Sequence, residues 1–163
     1  MKIAVAQLNP TVGDLSGNRK LIEDALHESI DRGADLLVCP ELVLTGYPPM
    51  DLLARDGFVE GTLRELEALL EHSHRIPMAL GVPLPVEGYG PQQLSNSAVL
   101  LDGGRIVGRQ AKTLLPAYDV FDERRYFVPA DSREATVLDR PGIGPIGLAV
   151  CEDAWWRELD YPL

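Results

Sequence analysis

The order of elements in the first 39 residues constrains this chain more than any other feature. Lys2 to Leu8 reads as a strand, apolar at Ile3, Ala4, Val5 and Ala6, and Asn9-Pro10 ends it. From about Asn18 to Arg32, Leu21, Ile22, Ala25, Leu26 and Ile30 recur at helical spacing, and Gly33 stands where a helix terminates. Asp14 to Gly17 reads as loop before it. Asp35 to Cys39 is a second strand. A strand, a crossover helix and a strand this close together form a βαβ unit, whose strands pair in parallel. The chain is therefore expected to be an α/β protein.

Later segments extend the sheet. Asp51 is placed to cap a short turn over Leu52 to Arg55. A longer helix is expected from about Phe58 to His74, with Leu63, Leu66, Leu69 and Leu70 on one face, then a strand over Met78 to Val82. Residues 83–94 are rich in proline, glycine and glutamine and read as loop. Ser95 to Leu101 and Arg105 to Gln110 flank Asp102-Gly103-Gly104, a strong hairpin signal that adds antiparallel strands and makes the sheet mixed. Thr136 to Leu138 is a short strand. The glycines at 142 and 144 lead into an apolar run, Ile146 to Val150, read as a strand buried on both faces that ends at Cys151.

Composition narrows the function. The 163 residues are 45% hydrophobic and 25% charged, enough for a core without disulfide staples. A net charge of −10 argues against nucleic acid or an anionic membrane as partner. Cys39 and Cys151 are too few for a secreted disulfide framework, and reduced thiols favour a cytoplasmic location. The N-terminus lacks the pattern of a signal peptide, and no apolar stretch approaches the roughly 20 residues of a membrane span.

Three polar residues stand where a strand meets a loop: Glu41, Lys112 and Cys151. Open α/β sheets carry their sites at such ends. A cysteine nucleophile needs a base to take its proton and a donor for the developing oxyanion. Glu41, between Pro40 and Leu42, is a candidate base. Lys112 and a backbone N–H after Cys151 are candidate donors. Histidine offers less. His27 falls on the polar face of its helix, and His72 and His74 close another. His72-x-His74 without further ligands is a poor metal site. No phosphate loop is present, and Gly142 and Gly144 precede a strand rather than a helix, unlike a dinucleotide fingerprint. Residue types and spacing alone leave a cysteine enzyme beside a non-catalytic interaction module.

The motifs Pro40-Glu41-Leu42 with Thr45-Gly46-Tyr47, Lys112-Thr113-Leu114-Leu115-Pro116 and Cys151-Glu152-Asp153 resemble the nitrilase (carbon–nitrogen hydrolase) superfamily, whose triad is Glu-Lys-Cys. They occur in that family's order along essentially the whole chain. Within it, the segments Tyr47 to Leu53, Leu115 to Phe127 and Cys151 to Trp155 are most similar to the glutaminase domains of glutamine-dependent NAD synthetases. Ala117 stands where that branch would have a more polar residue.

The resemblance implies an α-β-β-α sandwich with a mixed sheet. It implies one glutamine amidohydrolase domain over 1–163, the N-terminal part of a longer chain and incomplete at its C-terminus. It implies a triad of Glu41 as base, Lys112 as electrostatic stabiliser and Cys151 as nucleophile. Tyr118 and Glu152 would hold the amino-acid group of glutamine, Tyr47 and Phe121 would line the pocket, and Glu123 would support the triad. No cofactor or metal is expected in this chain. ATP and Mg would belong to a synthetase domain, absent here, that receives ammonia and amidates deamido-NAD. A homo-oligomer is expected by the same resemblance, as is weak or no activity of the isolated piece. The alternative within the superfamily is a stand-alone amidase or carbamoylase acting on a small amide.

Overall fold

The structure, a computed structural model, describes residues 1–86, 93–130 and 136–155. Trp155 and Trp156 are offered by the sequence as packing that fixes the turn after Cys151; Trp155 is instead 67% exposed, and Trp156 lies outside the described residues. Five strands form one mixed sheet in sequence order: β1 (Ile3–Val5), β2 (Leu36–Val38), β3 (Met78–Pro85), β4 (Leu94–Asp102) and β5 (Arg105–Ala111). β1, β2 and β3 are parallel, and β3, β4 and β5 antiparallel. The expected βαβ unit is present, with α1 (Leu15–Asp31) as the crossover. The β4–β5 turn is the dipeptide Gly103-Gly104, because Asp102 pairs with Arg105. Both glycines have positive φ, 56° and 79°, as a two-residue hairpin of this hand requires.

Side chains alternate across the sheet. Leu37, Met78, Leu80, Val82, Val99 and Leu101 face α1 and α2 (Phe58–Leu70), meeting Ile22, Leu26, Leu66 and Leu69 in the main core. The opposite face, with Leu36, Val38, Ala79, Leu100 and Val107, is covered by a two-stranded sheet. That sheet pairs β6 (Val137–Arg140) with β7 (Gly144–Gly147) in antiparallel register. The described residues thus form the first three layers, α-β-β, of the expected sandwich.

Four local expectations are corrected. Asp14 begins a helix rather than lying in a loop: its Oδ1 accepts the Gly17 N–H at 3.0 Å, and α1 starts at Leu15. The 3-10 turn at Met50–Ala54 has Pro49 at its N-cap, so Asp51 lies inside the turn and does not cap it. The helix expected to reach His74 ends at Leu70 and tightens into a 3-10 turn over Glu71–His74. There the Ser73 hydroxyl donates to the Leu70 carbonyl at 2.7 Å, competing with the helical ladder.

The fourth correction concerns the run before Cys151. β7 spans only Gly144–Gly147 and alternates half-buried with exposed. Gly142 and Gly144, at φ 84° and 95°, fold it back onto β6, so one face packs on the large sheet and the other does not. Leu148 and Val150 are buried, but they lie outside the ladder. Cys151 therefore ends an extended lead-in rather than a strand buried on both faces.

Candidate active site

β2 ends at Val38, and the chain crosses the C-terminal end of the parallel strands as Cys39-Pro40-Glu41. The Cys39 N–H donates to Ala79 O at 2.8 Å, and the Gly81 N–H to Pro40 O at 3.1 Å. The crossing is so close that a Cβ on Gly81 would lie 2.3 Å from the Leu42 nitrogen and 2.6 Å from the Glu41 Cα. Leu42, at φ 48°, with Val43 and Leu44, is fully buried and anchors the far side of the turn. Glu41 is thereby held on a rigid bend, with its side chain 20% exposed.

Lys112 follows β5 directly. Its N–H donates to Asn96 O at 2.7 Å, continuing the β4 contact, and its side chain is fully buried. The ammonium donates to Glu41 Oε1 at 2.9 Å and to Glu123 Oε1 at 3.0 Å. Burial pulls the Lys112 pKa down, but the two carboxylates more than offset it and hold it above its ordinary value. The ammonium therefore stays charged at neutral pH.

Glu123 opens a 3-10 turn and is 4% exposed. It also accepts the Tyr47 hydroxyl at 2.9 Å, while its Oε2 has no partner among the described residues. Burial, then the Glu123 hydrogen bond, pushes the Tyr47 phenol well up, so Tyr47 is a neutral donor. The Tyr47 and Phe121 rings lie 6.3 Å apart, and Phe121 meets Tyr118 edge-on at 5.6 Å. Tyr118 donates to Glu152 Oε2 at 3.3 Å. A cavity of about 260 Å³ is lined by Tyr47, Phe121, Glu123 and Tyr126 among others.

Cys151 is exposed and opens the last 3-10 turn in the left-handed region, at φ 47°. A non-glycine residue holds that conformation at a cost, and such residues cluster at functional sites. Cys151 and Glu41 both line a second cavity of about 390 Å³ beneath residues 146–151. Partial burial, and next the Glu41 carboxylate, raise the thiol above its ordinary value, while Lys112 and the Glu152 N–H oppose the rise. The resting cysteine is thus a thiol at neutral pH, with a carboxylate beside it to take the proton.

All eight residues expected from the sequence are brought into this region: Glu41, Lys112, Cys151, Glu123, Tyr47, Phe121, Tyr118 and Glu152. The histidines are engaged elsewhere. His72 approaches Glu23 of α1 at 3.4 Å and meets His27 edge-on at 6.4 Å.

Three further residues escape sequence reasoning. Gly81 makes room for the Glu41 bend. Asn96, fully buried on β4, donates to Glu41 Oε1 at 2.6 Å. Asp153, fully buried two residues after Cys151, accepts the Thr113 N–H at 3.0 Å and the Leu114 N–H at 2.7 Å. It clamps the cysteine turn to the loop that follows Lys112. Asp153→Ala should leave two partly buried amides without their carboxylate and cost about 2–3 kcal/mol. Urea denaturation checks this, and a loss under about 1 kcal/mol would show that the clamp is not structural.

A family profile for carbon-nitrogen hydrolases matches residues 2–163. The chain belongs to the carbon–nitrogen hydrolase family. The glutamine-dependent NAD(+) synthetase of Synechocystis sp. is 45% identical over 157 residues, covering 94% of this chain and 28% of the relative. That of Thermotoga maritima is 40% identical over 157 residues, covering 95% and 26%. Among solved structures, the glutamine-dependent NAD+ synthetase of Acinetobacter baumannii superposes with a TM-score of 0.84 at 32% identity, over 94% of this chain and 28% of that one. An amidase from Nesterenkonia sp. gives 0.81 at 29%, over 96% and 57%. The chain thus spans between 26% and 28% of the length of these two curated relatives.

Proposed function

We propose that this carbon–nitrogen hydrolase domain hydrolyses the side-chain amide of glutamine through a thioester at Cys151. The observation that carries the proposal is the Lys112 ammonium held between Glu41 and Glu123, with Cys151 and Glu41 lining one cavity. Glu41 takes the thiol proton as Cys151 Sγ attacks the amide carbon. The resulting oxyanion faces the Lys112 ammonium and the backbone N–H after Cys151. Glu41 returns the proton to the leaving nitrogen, the C–N bond breaks, and ammonia departs. Water then gives a proton to Glu41 and its oxygen to the thioester carbon, releasing glutamate and restoring the thiol. Tyr118 and Glu152 would bind the amino-acid end, and the unpartnered Glu123 Oε2 would accept an amide N–H.

Similarity to glutamine-dependent NAD(+) synthetases supports glutamine as substrate and a synthetase domain as recipient of the ammonia. An active-site cysteine is also described for the Nesterenkonia sp. AN1 amidase, in a mutant of which acrylamide adds to it by Michael addition. Among the described residues, no group of three or more His, Cys, Asp or Glu side chains is placed to hold a metal ion. By similarity to glutamine-dependent NAD(+) synthetases we assign ATP and Mg to a synthetase domain, and no step here runs through them. No helix among the described residues is long and apolar enough to cross a membrane.

A diazo-ketone analogue of glutamine tests the proposal. It should label Cys151 and spare Cys39, whose thiol is pushed up to about 12 by burial. Peptide mass spectrometry reads the site. Equal labelling of both cysteines, or none, would overturn the assignment. A small-amide amidase would instead turn over acetamide in preference to glutamine, which steady-state kinetics distinguishes.

A further inference from the structure

We propose that Asn96 is a positioning residue that sets the Glu41 carboxylate against Cys151. The inference rests on Cys151 and Glu41 acting as nucleophile and base. Asn96 sits on β4 opposite Pro83 of β3, fully buried. Its Nδ2 donates to Glu41 Oε1 at 2.6 Å, the same oxygen that accepts the Lys112 ammonium at 2.9 Å. Two donors from different elements converge on one carboxylate oxygen. That fixes the rotation of the carboxyl group and leaves Oε2 for the thiol.

The Asn96 backbone carbonyl also receives the Lys112 N–H, so one residue places both charged partners. The two roles separate cleanly, since a side-chain substitution removes only the contact to Glu41. A buried amide whose Oδ1 has no partner among the described residues is an expensive way to fill space. A requirement for its N–H would explain why an amide stands there. The charged and titratable groups facing this point are Glu41, Lys112, Glu123 and Cys151, with the Tyr47 hydroxyl behind Glu123.

The test compares Asn96→Ala and Asn96→Asp with wild type in the full chain. Glutamine turnover and the pH dependence of Cys151 alkylation by iodoacetamide are both measured. Asn96→Ala should lower kcat by roughly tenfold or more while KM changes by less than about twofold, because binding contacts are untouched. Its alkylation midpoint should move to lower pH, since a carboxylate released from its anchor swings away from the thiol that it opposes. Asn96→Asp keeps the volume but replaces the N–H donor to Glu41 with a second carboxylate, which repels Glu41, so kcat should fall as in the alanine variant.

A residue that only fills space would not lower kcat when its volume is kept. If Asn96→Ala fails to fold, Asn96→Asp carries the test by its loss of kcat at a KM within about twofold of wild type. An unmoved midpoint in a folded Asn96→Ala, or either folded variant within about twofold of wild-type kcat, would overturn the proposal. Absent glutamine turnover in wild type, with the alkylation shift intact, would instead overturn the substrate assignment and leave Asn96 in place.

Discussion

Cys151→Ala should abolish glutamine hydrolysis, with kcat falling by about 10⁴-fold or more. Nothing else described at the site replaces the thiolate. The only other cysteine is Cys39, whose thiol burial pushes up to about 12, in a half-buried position at the end of β2. The fold should be indifferent to the change. Cys151 is exposed, and alanine meets the same φ of 47° without a new steric demand. Unfolding free energy should stay within about 0.5 kcal/mol of wild type. Joined to the synthetase domain proposed above, the variant should still make NAD from free ammonia. Glutamine hydrolysis within tenfold of wild type would remove Cys151 from the mechanism, since the roughly 10⁴-fold loss of a nucleophile could not be hidden.

Lys112→Met should damage both fold and activity. Methionine matches the length of the lysine stem, but it leaves Glu41 and the 4% exposed Glu123 without the ammonium that lies 2.9 and 3.0 Å from them. Removing one partner from a buried ion cluster costs about 3–5 kcal/mol, because the remaining charges stay desolvated. The activity loss has a separate origin, the missing cation opposite the oxyanion.

The pH dependence separates ion loss from simple misfit. The raised Lys112 pKa contributes stability that is fully present below its unfolded value of 10.5. That contribution is lost only as pH rises through the higher folded value, so it is intact at neutral pH. The methionine variant has no such contribution to lose, so its deficit should be full at neutral pH and narrow as pH rises through the folded lysine value. Urea denaturation of both proteins from neutral to alkaline pH measures this. A deficit that is constant with pH would point to packing alone.

Much of the chemistry could be seen in residue order. Glu41 and Cys151 each follow an apolar run and Lys112 follows the second strand of the hairpin, and such strand ends fall at a sheet rim. Asp102-Gly103-Gly104 announced the hairpin, since few residues other than glycine tolerate two successive positive φ angles. Asp14 was legible in principle as an N-cap, but the polar run Asp14 to Gly17 resembles loop as closely as it does a first helical turn. The lead-in to Cys151 misled for a different reason. Ile146 to Val150 is apolar throughout, and a short apolar run does not reveal whether one face or two are covered.

The roles of Gly81, Asn96 and Asp153 were invisible for a common reason, which is that their partners are remote in sequence. Asn96 lies between two buried serines, and nothing local distinguishes the one polar side chain that reaches Glu41, 55 positions away. Asp153 follows Glu152 directly. Only the fold makes one a clamp on Thr113 and Leu114 and the other a partner of Tyr118.

The sequence by itself determined the parallel βαβ start, the hairpin, the separation of apolar and polar faces, and the residue types available for chemistry. Backbone preference and side-chain periodicity act over a few residues, and these features need nothing more. Tertiary structure alone decided that Glu41, Lys112, Glu123 and Cys151 meet. It also decided that Lys112 stays charged between two carboxylates while the Cys151 thiol stays protonated beside one. Those outcomes depend on strand register, on a crossing that only glycine at position 81 permits, and on burial, which strengthens every charge interaction within reach.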